Sequence, residues 1–108
     1  MARASKFLIV MVTTPNRRVA RSLARAALKS RMIACANIVP GIESHYWWQG
    51  RVTSGKELLL ILKTRPACLK RLEKLILDKH PYDTPEFIAL PIAHGNMAYL
   101  KWLTDELA

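Results

Sequence analysis

Between Phe7 and Val12 the chain carries no polar residue, and Ile9, Val10 and Val12 are β-branched. A run of that length and composition predicts a strand buried on both faces, because a half-exposed strand would alternate. Thr13-Thr14-Pro15-Asn16 interrupts it and offers Asn16 as a helix N-cap. From Arg17 to Met32 the period turns helical. Val19, Leu23, Ala26, Ala27 and Ser30 fall on one side, while Arg17, Arg21, Arg25 and Lys29 recur every four residues on the other. Ile33 to Val39 reads as a short strand ended by Pro40-Gly41, with a further extended stretch through "ESHYWW", where aromatics favour β structure. Gln49 to Lys56 holds two glycines and predicts a hairpin tip, followed by a second buried strand, "ELLLILKT", from Glu57 to Thr64. Pro66 suits the first turn of another helix, whose stripe of Leu69, Leu72, Leu75 and Ile76 runs toward His80. Glu86 to Leu90 is a fourth strand. Pro85 and Pro91 bracket it and place it at an edge, where a missing N–H is tolerated. Gly95-Asn96 opens a short last helix with Tyr99, Leu100, Trp102 and Leu103.

The order β-α-β-β-α-β plus a terminal helix is that of an α+β, ferredoxin-like domain: an antiparallel sheet with both helices on one face. Residues 1–108 form a single domain without repeats, linkers or low-complexity stretches. Such a layout leaves the second sheet face open, and an open apolar face predicts self-association.

With half of the 108 residues hydrophobic, a packed core is expected and wholesale disorder is not. Charge changes the picture more. The net charge is +9, and eight basic residues precede the first acid, Glu43. A field of that sign favours anionic partners such as nucleic acid, phosphorylated ligands or acidic proteins. Cys35 and Cys68 make neither a disulfide framework nor a CxxC pair and read as buried reduced thiols. The six-residue apolar run after the basic N-terminus is short for a secretion signal, and no small-x-small site follows. No stretch approaches the ~20 apolar residues that span a bilayer. A soluble cytoplasmic protein with no membrane partner is expected.

The residues carry no sequence signature of a catalytic triad, a phosphate loop or an HExxH site, so a non-enzymatic role is expected. Acylphosphatases share the fold pattern, but "TTPNRR" stands where their Gly-rich loop would lie. His80 and Glu86 sit six apart across a proline bend and could converge, as could His45 and His94 from other loops. Imidazole with a carboxylate suits copper or zinc; the competing reading is that His80 caps its helix. The RNA-recognition motif shares the topology yet stacks bases on central-strand aromatics, and here only Phe7 stands at such a place. The basic stripe of the first helix could touch phosphates without sequence preference, though such stripes are more often solvated faces. In "HYWWQG", alternation sends Trp47 to the face opposite Tyr46 and Trp48, and rings on both faces suggest an interface as well as a core.

Five motifs in order carry a resemblance over nearly the whole chain. They are the N-I-x-P-G of "ACANIVPGIESHYWWQG", the S-x-Y-x-W-x-G formed by Ser44, Tyr46, Trp48 and Gly50, "LKT" at Leu62 to Thr64, "HPYDTPEFIALPI", and "GNMAYLKWL". Together they resemble the CutA family of divalent-cation-tolerance proteins. The resemblance implies a ferredoxin-like fold similar to that of PII-type proteins, assembled as a tight homotrimer. In the family, sheets meet edge to edge around an axis and the long hairpin reaches across a neighbour. It also implies an intersubunit cleft faced by His80, Tyr82 and Glu86, with Tyr46, Trp48 and Lys63 as neighbours and Trp47 and Trp102 as interface residues. The occupant it implies is a divalent metal such as copper, held by His80 and Glu86, or a small ligand, which the net charge of +9 favours as an anion. Bacterial members implicated in copper binding carry a cysteine at the end of the first strand and a second histidine before the HPY. Val12 and Lys79 stand at those places, which weakens the metal reading. The reading from another class is a basic nucleic-acid-binding module on the same fold.

Overall fold

The computed structural model describes residues 6–108 together with the backbone of Ala2 and Arg3. The rest of the basic N-terminus weighed above as a leader lies outside the described residues. The elements are β1 (Ala2–Arg3), β2 (Leu8–Thr14), α1 (Arg17–Lys29), β3 (Cys35–Trp48), β4 (Arg51–Thr64), α2 (Pro66–Lys79), β5 (Ile88–Pro91), β6 (His94–Gly95) and α3 (Met97–Glu106). The main sheet is antiparallel in the order β3-β4-β2-β5, the ferredoxin-like arrangement, with the proline-bracketed strand at an edge. That strand begins at Ile88, so Glu86 belongs to the loop before it. A second ladder joins β1 to β6 through Ala2↔Gly95 and Arg3↔His94. Two-residue strands are too short to leave a periodic signal.

Helices α1 and α2 cover one face of the sheet. Val19, Leu23, Ala24 and Ala27 meet Leu72 and Ile76 over Val10, Val12, Leu60 and Leu62, all buried. The buried row of α1 includes Ala20 and Ala24, whereas Ala26 is half-buried and Ser30 exposed. At its start Asn16 Oδ1 accepts the Val19 N–H at 2.9 Å. The helix stops at Lys29 rather than Met32 because Arg31 turns left-handed (φ 56). The Arg31 N–H donates to Leu28 O at 3.0 Å and the Met32 N–H to Ala27 O at 3.1 Å, a Schellman ending.

The other sheet face departs from expectation. In β2 and β4, Val10, Val12, Leu58, Leu60 and Leu62 are buried, but Ile9, Met11, Leu59 and Ile61 between them are only partly covered. The apolar runs are continuous, yet burial alternates, because α1 and α2 both lie on the first face. Pairing adds Val39 of β3 and Ile88 and Leu90 of β5 to this uncovered aliphatic surface.

The hairpin also differs. The expected tip from Gln49 to Lys56 is almost entirely strand; only Gln49 and Gly50 turn, with φ of 50° and 76°. Two consecutive left-handed residues match the twist of a tight two-residue hairpin. Pro40-Gly41 does not end the strand: the pair bulges opposite Leu58, between the pairs Val39↔Leu59 and Ile42↔Glu57. Beyond the bulge the ribbon carries mostly exposed residues and has no core beneath it. A smaller cluster of Phe7, Leu100 and Leu103 docks α3, whose N-cap Asn96 accepts the Tyr99 N–H at 3.1 Å.

Leu60 sits fully buried under both helices, so Leu60→Ala is expected to cost about 2–5 kcal/mol. Guanidinium unfolding at fixed protein concentration measures this, and a loss below about 1 kcal/mol would mean the core lies elsewhere.

Candidate functional site

Helix α2 ends where Pro81 forbids another turn. The capping residue, His80, closes it with its N–H on Ile76 O at 2.9 Å and turns its ring inward, leaving 7% of the residue exposed. Nε2–H donates to the Thr13 carbonyl at 2.8 Å, and Nδ1 accepts the Tyr82 N–H at 3.1 Å. This pattern assigns the proton to Nε2. The imidazole thus ties the end of β2 to the loop after α2. Tyr82 packs against it at a ring-centroid distance of 4.7 Å and reaches across to donate from Oη to Glu57 Oε2 at 2.9 Å.

Register decides what else arrives there. Thr13 pairs with Leu59, Glu57 with Ile42, and Ser44, Tyr46 and Trp48 follow at alternate positions, so all point to the uncovered face. The hairpin ribbon forms one wall of a cleft of about 890 Å3, and Pro81, Tyr82, Asp83, Thr84, Pro85 and Glu86 form the other. Tyr46 and Trp48 are each 45% exposed. Among the described residues no Lys or Arg lines the cleft, although the chain has 17 of them.

Two titrating groups report the local field. Burial, then the hydrogen bond to Glu57 and its charge, with a smaller push from Tyr46, raise the Tyr82 phenol to about 12. Partial desolvation, then the charge of Glu57, push the Glu86 carboxyl above its ordinary value. Glu86 keeps an exposed flank, so its shift is a bias rather than neutralisation.

Of the residues singled out from sequence, Tyr46, Trp48, Tyr82 and Glu86 meet in this cleft. His80 lies beneath it with both ring nitrogens engaged, and coordinating a metal would break one of those bonds. His45 is held by Glu43 at 2.7 Å and His94 lies in β6, so the three histidines do not converge. Among the described residues no group of three His, Cys, Asp or Glu side chains could hold a metal ion. The residues of one chain therefore do not fit a copper site. Lys63 stands about 20 Å along β4 from Glu57, hydrogen-bonded to Asn37 and 3.8 Å from Cys35 Sγ. Trp47, 74% exposed, points away from Tyr46 and Trp48 but reaches the rim of the cleft, and Trp102 packs beside Tyr99 at 5.6 Å. Arg17, Arg21, Arg25 and Lys29 form an exposed face of α1. Glu57 and Asp83 were missed. Counting outward from a turn at Gln49-Gly50 would have set Glu57 opposite Ile42 and on the same face as Tyr46.

Residues 8–106 match the family model of the CutA1 divalent ion tolerance protein. The chain is 49% identical over 98 residues to a chloroplastic CutA 1 of rice, covering 91% of this chain and 55% of that protein. It is 46% identical over 97 residues to the divalent-cation tolerance protein CutA of Thermus thermophilus, covering 90% and 94%. The chain thus spans about half the length of the rice relative and nearly all of the Thermus one. Among solved structures, the Thermus thermophilus Cut A1 superposes with a TM-score of 0.92 at 44% identity, covering 94% of this chain and 99% of that one. CutA1 from rice superposes at 0.91 with 46% identity, covering 94% of each.

Replacing His80 with alanine orphans the buried Thr13 carbonyl and the Tyr82 N–H, an expected loss of about 1–3 kcal/mol in thermal or denaturant unfolding. Glu86 tests the sign of its environment. Its folded carboxyl lies above the ordinary value of 4.5, so the folded state holds the proton more tightly. Stability from this group therefore falls as pH rises through the window just above 4.5. Glu86→Gln is expected to raise the melting midpoint near neutral pH and leave it unchanged near pH 3; the opposite ordering would show that Glu86 is stabilised as an anion.

Proposed function

The chain belongs to the CutA1 divalent-ion tolerance family, and from that premise we propose that it works without catalysis, as a homotrimer that binds a small cation in the cleft between hairpin and loop. The observation that carries the assembly is the uncovered sheet face. Ile9, Met11, Leu59 and Ile61 from the two central strands, flanked by Val39, Ile88 and Leu90, give a contiguous aliphatic surface that the described elements leave only partly covered. Burial of such a surface between chains is worth about 25 cal/mol per Å2, whereas leaving it wet invites aggregation. Closed rotational assembly satisfies it without an open-ended fibre.

The cleft supports the ligand part of the reading. It opens on the same side as the aliphatic face, so a neighbouring chain seated there would stand beside it. A divalent ion is what the family name suggests, and copper is the metal that the sequence resemblance implies. Within one chain such an ion would depend on Glu57, Asp83 and Glu86, since His45 of the lining is held by Glu43 and His80 is engaged by backbone groups. A small anion would meet these same three carboxylates with no lysine or arginine among the lining residues. A reducing, cytoplasmic setting is supported by the free thiols of Cys35 and Cys68. No described helix is long and apolar enough to cross a membrane. The nucleic-acid reading loses its ground, because the central strands present aliphatic side chains on the open face where base-stacking rings would be needed.

Sedimentation velocity is expected to return the mass of three chains. Ile61→Glu, which places a charge amid the aliphatic face, is expected to shift it to one chain with its circular dichroism retained. Wild-type protein sedimenting as a single chain at micromolar concentration would remove the assembly.

A further inference from the structure

The charge of the cleft runs against that of the molecule. Three of the eight acidic residues, Glu57, Asp83 and Glu86, line it, and no lysine or arginine among the described residues does. The ion pairs among the described residues are Arg31–Glu106, Glu43–His45, Lys74–Asp78 and Lys101–Asp105, so these three carboxylates take part in none of them. A protein of net +9 repels cations at a distance; a recess with this lining can attract them only through its own groups. The raised Glu86 carboxyl is in keeping with carboxylates crowded into a partly dry recess.

The rest of the lining narrows the kind of cation. Tyr46, Trp48 and Tyr82 are 45%, 45% and 37% exposed, large rings left in contact with water beside the acids. Tyr82 is held in place at both ends, by His80 at its backbone and by Glu57 at its hydroxyl, so its ring is oriented before any ligand arrives. Prolines 81 and 85 stiffen the loop that carries it. A small hard metal ion is held by several converging oxygens or nitrogens and gains little from ring faces. A weakly hydrated organic cation gains from both, its carbon surface lying on the rings and its charge balanced by nearby carboxylates.

Resting on the reading of this cleft as a ligand site, we infer that its occupant is a small organic cation of the alkylammonium class. Trp48, Tyr46 and Tyr82 supply the ring faces, and Glu57, Asp83 and Glu86 supply the counter-charge. The class excludes inorganic anions and sets the site apart from metal coordination.

The test uses the whole chain, choline chloride as probe at constant ionic strength, and tryptophan fluorescence with calorimetry as readouts. Saturable choline binding is expected, with the neutral tert-butyl isostere of choline at least about tenfold weaker. Glu57→Gln and Trp48→Leu are each expected to weaken choline about three- to tenfold while leaving the thermal midpoint and the assembly mass in place. Equal binding of the neutral isostere would overturn the inference, as would displacement of choline by inorganic phosphate or saturation by zinc chloride alone. Mass measured on the same samples separates the two readings. A trimer indifferent to choline overturns the ligand class and leaves the assembly standing. A single chain that saturates with choline overturns the assembly and upholds the ligand class, since all six residues belong to one chain.

Discussion

Two helices cannot cover two faces of a sheet, and the rest of this molecule follows from that shortage. Val10, Val12, Leu60 and Leu62 go beneath α1 and α2 and make the core. Their neighbours Ile9, Met11, Leu59 and Ile61 are as apolar, yet they face away from both helices and stay only partly covered. A domain of this size keeps only a modest margin of stability, and a strand apolar on both sides is a poor sequence for a free monomer. The same uncovered side receives the end of the hairpin, the loop after α2 and the cleft between them. One asymmetry therefore sets both where chains can meet and where a ligand can sit.

The HPY segment shows how a stiff joint can position chemistry without taking part in it. Proline ends α2, and the histidine before it drops into the interior to bridge the Thr13 carbonyl and the Tyr82 amide. Tyr82 is thereby presented to Glu57, on a different strand, and the loop carrying Asp83 and Glu86 is fixed along the way. A histidine beside a carboxylate in sequence looks like a ligand pair. In three dimensions the histidine is a strut and the carboxylates face the solvent-filled recess.

Much of this was legible in the chain and some was not, for physical reasons. The order of elements followed from period changes, and Pro85 and Pro91 located the edge strand because a ladder cannot use a missing N–H. The apolar runs of β2 and β4 identified strands but misled about burial, since an apolar side chain on the open face looks the same in sequence as one in the core. Gly55 suggested a turn; it sits instead within β4, paired with Ser44, and the true turn needed only Gln49 and Gly50. That slip concealed Glu57. Lys63 was placed near the cleft through the family resemblance, and within one chain the length of β4 carries it to the opposite end of the sheet. The rings of the cleft were foreseen, whereas its charge was not, because a net of +9 says nothing about where eight acids gather.

The bulge at Pro40-Gly41 has a consequence for how this site can change over time. One extra residue in β3 reverses the odd–even assignment of everything beyond it. With the bulge, positions 42, 44, 46 and 48 share the face of Glu57; without it, 43, 45 and 47 would. Loss of a single codon there would leave the composition of the arm almost untouched and turn His45 and Trp47, which now reach the lining from the opposite face, to the side of Glu57 in place of Tyr46 and Trp48. The recognition surface is thus written in the phase of the strand as much as in its letters. A one-residue deletion far from any ligand could rewrite it at a stroke, where point substitutions would need several steps.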